Sequence, residues 1–226
     1  MKTILIYSGG LDSTTLLYWL LDKKYGVKAL SFNYGQRHSR ELEFAKKNCA
    51  KLGVEHQVVD LSSIKGLLKG SSQTDDTVEV PEGHYEAESM KSTVVPNRNS
   101  IMLNIAAAWA MSSKYDSVSC AAHSGDHFIY LDCRPEFISS LQQTIQLADE
   151  HKVSIERPFI GITKAGIAKI AEELGVSIAD TYSCYKGGPI ACGKCGTDVE
   201  RINALREAGV VDPTEYLDVD YSKQYA

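Results

Sequence analysis

The sequence predicts an α/β fold, a doubly wound parallel sheet with a small C-terminal extension, and three observations carry that prediction. Short apolar runs alternate with helix-period segments through the first half of the chain. The first of these runs ends in a glycine-containing turn that opens directly onto a helix. The alternation then gives way near the C-terminus to glycines and a group of cysteines. Strands separated by helices of this length form βαβ units, which build parallel sheets.

Taken in order, Thr3–Tyr7 is the first strand and Ser13–Lys24 the first helix, with Leu16, Leu17, Leu20 and Leu21 on one side. Val27–Phe32 is the second strand. Ser39–Leu52 follows as a helix, with Leu42, Ala45 and Cys49 spaced for one face, and Glu55–Asp60 is the third strand. From Gly66 to Val95 periodicity vanishes. The polar stretch KGSSQTDDTVEVPEGHYEAESMKS within it reads as a mobile loop over one sheet edge, since long loops in compact domains are functional lids or disordered segments. Helical pattern returns over Asn99–Ser113, a short strand follows at Ser117–Ala121, and helices are predicted over Pro135–His151 and Thr163–Leu174. Beyond Tyr182 come the glycines and cysteines, then a helix over about Val199–Ala208. The predicted division is an α/β domain over 1–180, with 66–95 as its mobile loop, and a tail over 181–226 packed on it. No internal repeat interrupts this order.

A chain of 226 residues can bury one good-sized core. Its 43% hydrophobic and 23% charged residues are the balance of a soluble globular enzyme. The net charge of −5 argues against an extended nucleic-acid surface, while leaving room for a local basic pocket. No apolar run approaches the roughly 18 residues that cross a bilayer. No charged segment precedes an apolar stretch at the start, so no signal peptide is read there. A soluble cytoplasmic protein with neither a membrane nor a nucleic-acid partner is expected.

The first turn, SGGLDSTT, carries the most chemistry. Ligands of open parallel sheets sit beyond the C-terminal strand ends, where helix N-termini point. Glycine lets backbone approach an anion closely, and free first-turn amides with the hydroxyls of Ser8, Ser13 and Thr14 can donate to phosphate. Asp12 would repel a phosphate by itself, so it reads as a Mg²⁺ ligand or a cap. Taken alone, the string also fits an ordinary βα turn with an Asp or Ser cap. Neither a Walker loop nor a dinucleotide fingerprint is present.

Other strings are weaker. Asn33-Tyr34-Gly35-Gln36-Arg37-His38 follows the second strand and offers Gln36 and Arg37 as donors, though a plain polar loop would look the same. Pro96-Asn97-Arg98-Asn99 opens a helix that Asn97 or Asn99 could cap. The histidines and aspartates of His123-Ser124-Gly125-Asp126-His127 and Leu131-Asp132-Cys133-Arg134 are metal-ligating types, but their spacing does not by itself make a site. Lys164 begins a helix and fits either phosphates or the surface. Cys184, Cys192, Cys195 and Asp198 are different, because a C-x₂-C pair with a third cysteine upstream and glycines between suits tetrahedral zinc. Buried free thiols or a redox pair are the alternatives.

Together these strings resemble one subfamily of the PP-loop ATP pyrophosphatases (adenine nucleotide alpha hydrolase-like fold), the 7-cyano-7-deazaguanine synthases, or QueC family. The resemblance rests on SGGLDSTT, FNYGQRHSRELEFA, VPNRNSIMLNIAA, HSGDHFIYLDCRPEFI, PFIGITKAGIAKIAEELGV, TYSCYKGG with CGKCGTDVER, and DPTEY, in that order over nearly the whole chain. It implies a ligase that uses ATP, Mg²⁺ and ammonia to turn 7-carboxy-7-deazaguanine into 7-cyano-7-deazaguanine for 7-deazaguanine pathways such as queuosine synthesis. An adenylated acid and then an amide would be intermediates, with AMP and pyrophosphate released. It also implies site roles. Ser8, Gly9, Gly10, Asp12, Ser13 and Thr14 would hold pyrophosphate and metal, with Asp12 and Lys164 as the catalytic pair. Lys164 would face the reacting α-phosphate, and Arg98 with Asn99 the nucleotide. Gln36, Arg37, Asp132 and Arg134 would touch substrate or phosphate. Free ammonia fits a chain without room for a glutaminase domain, and a homodimer is left open.

One position departs from the family pattern. The family carries four cysteines on one structural Zn²⁺, and here the last place is Asp198, so a Cys₃Asp site is implied. The departure keeps open an enzyme that stops at the 7-amido compound. A tRNA-modifying relative and a non-catalytic nucleotide- and zinc-binding protein are the other readings. The acidic charge opposes the first and the intact loop with Lys164 opposes the second.

Overall fold

The order β3-β2-β1-β4-β5, parallel throughout, is set by five strands in the computed structural model, which describes residues 1–225. The strands are β1 (Lys2–Ile6), β2 (Gly26–Asn33), β3 (Glu55–Asp60), β4 (Ser117–Ser119) and β5 (Ser154–Glu156). The helices are α1 (Leu11–Asp22), α2 (Glu41–Leu52), α3 (Arg98–Ser113), α4 (Pro135–Ala148), α5 (Lys164–Glu173) and α6 (Gly196–Ala208). The doubly wound parallel sheet predicted from the alternation is therefore present. Chain order reverses direction at β1, which pairs with β2 on one side and β4 on the other. That reversal leaves a crevice at the C-terminal ends of β1 and β4, where such sheets bind ligands.

Period-two alternation in the strands feeds two apolar layers. Ile4 and Leu30 face one way, toward Leu103, Ala106 and Ala107 of α3 and Ile138 and Leu141 of α4. Their neighbours Leu5 and Ala29 face the other way, toward Leu16, Leu17 and Leu20 of α1, Ala45 of α2 and Ile167 of α5. Each such large aliphatic side chain contributes about 1.5–3 kcal/mol when fully buried. α2 stops at Gly53, whose φ of +66° makes the left-handed cap. α4 ends at Ala148, earlier than predicted, because Asp149 turns extended at φ −145°. Strand β5 was not predicted. It has three residues and one buried apolar side chain, Ile155, so no alternation is visible in the sequence.

Segment 66–95 has neither strand nor α-helix, in keeping with its lost periodicity, and carries a 3₁₀ turn at Glu88–Thr93. Part of its polar run is not solvated, however. Ser71, Ser72, Gln73 and Thr74 are buried, and Thr74 Oγ1 donates to Leu68 O while Ser71 Oγ donates to Thr93 O at 3.1 Å. Serine and threonine here satisfy the segment's own backbone, a use of polarity that composition alone cannot separate from exposure.

The tail is fused to the sheet domain by packing. Leu205 of α6 and Val210 join Leu11, Ala168, Ala171 and Ile178 in a third apolar cluster. Arg201, 1% exposed, donates to Thr181 Oγ1 at 2.7 Å and Ile178 O at 3.0 Å, and pairs with Asp212 at 3.2 Å. A buried guanidinium so completely partnered fixes α6 against the turn after α5 and the stretch at Asp212.

Candidate active site and metal centre

The loop after β1 is shaped by Gly9. Its φ is +88°, and a Cβ there would stand 2.4 Å from Glu41 O and 2.8 Å from Ala45 N. The loop thus lies against the first turn of α2 in a conformation open only to glycine. Gly9→Ala is expected to cost about 1–3 kcal/mol from the backbone strain alone, before the clash is counted. A denaturant midpoint unchanged from wild type would contradict this.

Gly10 is the N-cap of α1 and provides no side-chain cap, so the first-turn amides stay available to an anion. Ser8 and Ser13 hydroxyls stand 3.0 Å apart, and Ser8 Oγ accepts from Gly10 N at 3.2 Å, which pins the turn. Thr14 is buried and its hydroxyl meets the Tyr7 hydroxyl at 3.2 Å.

Across from this loop stands Lys164, the first residue of α5, whose cap Thr163 accepts from Gly166 N. Lys164 Nζ lies 2.5 Å from Asp12 Oδ2 and 3.4 Å from Glu200 Oε2. Burial disfavours the Lys164 charge, but these two carboxylates outweigh it and hold the ammonium well above its usual range. Burial in turn pushes Glu200 above the ordinary carboxylate range, with Lys164 opposing. Asp12 Oδ1 and Glu200 Oε2 are buried without a hydrogen bond, although the second is within ion-pair reach of Lys164. Two under-satisfied carboxylate oxygens beside a phosphate-type turn fit a hard divalent cation with oxygen ligands. Glu200 was not singled out from the sequence.

A cavity of about 270 Å³ runs from this cluster to the start of α3. Ser8, Gly10, Asp12, Ser13 and Lys164 line one end, and Arg98, Asn99 and Asp132 the other. Asp132 accepts from Asn99 N at 3.2 Å and so caps α3 from outside, while Asn97, at φ +55°, occupies the cap position without a side-chain bond. Tyr34, Tyr130 and Tyr185 surround Arg98 closely enough to act on its charge. His38 and Glu41 also line the cavity, with His38 Nε2 3.4 Å from Glu41 Oε1. Burial raises the Glu41 carboxyl to about 8, with Gln36 and Arg98 opposing, and burial together with Arg98 lowers His38 to about 3.

Three residues expected at substrate or phosphate are used elsewhere. Gln36 donates to Phe32 O and Glu41 and accepts from Tyr34 N, folding the turn after β2. Arg37 donates to Asp75 O and Val78 O at 2.9 Å, anchoring segment 66–95. Arg134 donates to His127 O at 3.0 Å. None of the three lines the cavity. Nor do His123 and Asp126 make a metal site. Gly125 N donates to His123 Nδ1 and His123 N to Asp126 Oδ2, a reciprocal cap on the turn at Ser124–Phe128.

The four residues Cys184, Cys192, Cys195 and Asp198 do converge, all buried, with their ligand atoms within 4.8 Å of one another. Lys194 N and Cys195 N both donate to Cys192 Sγ, at 3.4 and 3.2 Å, and form the knuckle. Gly193 makes the turn at φ +74°, where a Cβ would stand 2.1 Å from Asp218 O. Asp198 sits in the first turn of α6, accepting from Gly193 N at 3.0 Å and from Ser183 Oγ at 3.0 Å. Hydrogen bonds from Cys184 and Cys195 drive the Cys192 thiol far down, and burial raises Asp198 to about 6. Three thiols and a carboxyl buried side by side are a donor set that suits tetrahedral zinc.

The profile of the family described as "Queuosine biosynthesis protein QueC" matches residues 2–209. A 7-cyano-7-deazaguanine synthase of Rhizobium leguminosarum bv. trifolii is 49% identical over 225 residues, covering 99% of this chain and 95% of its own. A protein of the same name from Caldicellulosiruptor saccharolyticus is 48% identical over 225 residues, covering 99% of this chain and 100% of its own. Among solved structures, the U34-tRNA thiolase NcsA of Methanococcus maripaludis, with its 4Fe-4S cluster, is similar at a TM-score of 0.54 and 17% identity. That match covers 92% of this chain and 67% of the thiolase, and it speaks to the fold alone.

Proposed function

The chain belongs to the QueC family, and from that premise we propose that it is an ATP-dependent, AMP-forming ligase making 7-cyano-7-deazaguanine from 7-carboxy-7-deazaguanine and ammonia. The observation that carries the chemistry is the Ser8–Ser13 turn, whose Asp12 meets Lys164 at one end of the cavity.

In the first half-reaction a carboxylate oxygen attacks the α-phosphorus of ATP and the bond to pyrophosphate breaks. Negative charge grows on the leaving group. The α1 amides with Ser8 and Ser13 are placed to receive it, in a site whose dipoles are fixed before the reaction begins. Lys164 neutralises the α-phosphate once phosphate replaces Asp12 as its partner. Asp12 and Glu200 would hold Mg²⁺, which supplies positive charge against the departing pyrophosphate. Arg98 and Asn99 belong to the nucleotide or substrate end. Ammonia then adds to the acyl carbon, the bond to AMP breaks and a proton leaves, giving the amide. In the second half-reaction the amide oxygen is adenylated in the same way. Loss of AMP and of the nitrogen's protons leaves the nitrile.

Zn²⁺ on Cys184, Cys192, Cys195 and Asp198 has a structural role in this reading, holding the tail against the loop. No described helix is long and apolar enough to cross a membrane, and a cytoplasmic location is proposed with the function.

The test is incubation with 7-carboxy-7-deazaguanine, ATP, Mg²⁺ and ammonium, followed by mass spectrometry. Nitrile with AMP and pyrophosphate is expected. Amide that accumulates without nitrile would mark an enzyme that stops halfway, and ADP with phosphate would overturn the adenylation chemistry.

A further inference from the structure

Glu41, the first residue of α2, lines the cavity and is left unused by the adenylation chemistry. Its side chain is 13% exposed, and one oxygen carries both of its close contacts. Oε1 accepts from Gln36 Nε2 at 3.2 Å and stands 3.4 Å from His38 Nε2, while Oε2 has no hydrogen bond among the described residues. Gln36 is held in turn by Phe32 O and Tyr34 N, so the carboxyl is fixed from the turn after β2. His38 Nδ1 is also buried without a hydrogen bond. Arg98 acts on the charges of Glu41, His38 and Tyr34 alike, which puts the Glu41 carboxyl at the Arg98 end of the cavity. The other carboxylate at this end, Asp132, is taken up by Asn99 N. Aromatic rings complete the recess, with the His38 and Tyr185 rings 5.3 Å apart and those of Tyr34 and His38 6.4 Å apart. Protein interiors leave few such polar groups unmet. A carboxyl with a free oxygen among aromatic rings suits a planar heterocycle that offers donors along one edge.

We propose that Glu41 reads the N1–H and 2-amino edge of 7-deazaguanine and makes this end of the cavity selective for a guanine-type base. The inference rests on the reading above, in which 7-carboxy-7-deazaguanine is the acid that is adenylated. That edge presents two adjacent donors, and a carboxylate is the side chain that accepts two at once. Hydrogen bonds to an ionised acceptor are the strong ones. Burial opposes the ionised form of Glu41, but Gln36 and Arg98 favour it, and two ligand donors add to them. The shape of the ligand agrees. Its 2-amino group and its 7-carboxyl lie at opposite ends of the bicycle. With the carboxyl at Lys164, the 2-amino edge points toward the end that carries Arg98 and Glu41. The adenine of ATP is a poor occupant of this place, because its N1 is an acceptor and would set a lone pair against the carboxylate. Glu41 thus also separates the two bases that must enter one cavity.

The test uses the 2-deamino analogue of the acid, which lacks one donor of that edge and keeps the 7-carboxyl. kcat/KM for the acid and for the analogue would be measured by AMP release in wild type and Glu41→Gln, with KM for ATP beside it. Wild type should disfavour the analogue about 10- to 100-fold, the effect of losing one hydrogen bond to a charged group. In Glu41→Gln the amide oxygen can keep the bond from Gln36, and its NH₂ then meets the ligand's donors. There kcat/KM for the acid should fall about 10- to 100-fold, and the preference between the two compounds should shrink to about threefold or less. KM for ATP should stay at the wild-type value. Wild type that uses acid and analogue equally well, releasing AMP with both, overturns the proposal whatever the variant does and leaves the ligase reading intact. A variant that is slower yet keeps the full preference overturns it too, and makes Glu41 a support for the turn after β2. A raised KM for ATP with an unchanged KM for the acid would give Glu41 to the nucleotide and overturn the assignment. Wild type that releases no AMP with the acid overturns the ligase reading and this inference together.

Discussion

Lys164→Met is expected to lower the rate of AMP release by about a thousandfold, the upper range for removing one preorganised donor from a developing anion. Methionine keeps the stem's packing at the start of α5 and removes only the charge. Two carboxylates, Asp12 and Glu200, now share that charge at 2.5 and 3.4 Å, so the ammonium is already in place and already desolvated before ATP binds. A group fixed in this way costs no reorganisation during the reaction, which is why its loss should appear in kcat rather than in KM. Asp12→Asn should act through a different route, by weakening Mg²⁺, and raised Mg²⁺ should partly restore it. The measurement is single-turnover release of AMP, with circular dichroism and a melting curve beside it. Lys164→Met retaining a tenth of wild-type turnover would remove Lys164 from the chemistry and leave it as a structural counterion to two acids.

The sheet was legible because β1, β2 and β3 are long enough for apolar runs to stand out between amphipathic helices. Strand β5 was not, since three residues with one buried side chain carry no period. In the site, SGGLDS was legible because glycine at φ +88° and hydroxyls at a helix start have a local cause. Glu200 was not, because one glutamate in the first half of a charged helix looks like a solvated face. Only the packing of α6 on α5 carries it to Lys164. Glu41 is a similar case, an acid at a helix start that would normally serve the helix dipole, yet here it is buried beside His38. Gln36, Arg37 and Arg134 differ in the opposite way, since their donors are engaged away from the cavity. Their donors are real, but backbone carbonyls of irregular segments take them first. Sequence shows which groups can donate. It does not show which carbonyls the fold leaves unpaired nearby.

About one zinc per chain is expected in purified protein, and its removal should be felt at the phosphate loop as well as in the tail. Cys184 follows Tyr182 by two residues, and Tyr182 N donates to Gly9 O at 3.1 Å. The metal cluster and the glycine turn are therefore joined by one short stretch of backbone. Cys195→Ser should strip the metal and cost several kcal/mol, because binding energy at a site absent from the unfolded chain is folding energy. ATP affinity should fall with it, as the Gly9 turn loses its support. Asp198 should matter less than a cysteine. Three thiolates already exceed the charge of the ion, and the carboxylate's remaining work is closure of the tetrahedron and acceptance of Gly193 N and Ser183 Oγ. Asp198→Ala leaves those two donors without their partner, so it should lower both zinc affinity and melting temperature moderately. Asp198→Cys restores a ligand but not the acceptor for two hydrogen bonds. It should bind zinc at least as tightly while recovering only part of the melting temperature. Metal analysis and melting curves of these variants, with and without a chelator, decide the matter. Zinc-free wild type that melts at the same temperature as metal-loaded protein would overturn the structural role, and equal zinc affinity in wild type and Asp198→Ala would leave water as the fourth ligand.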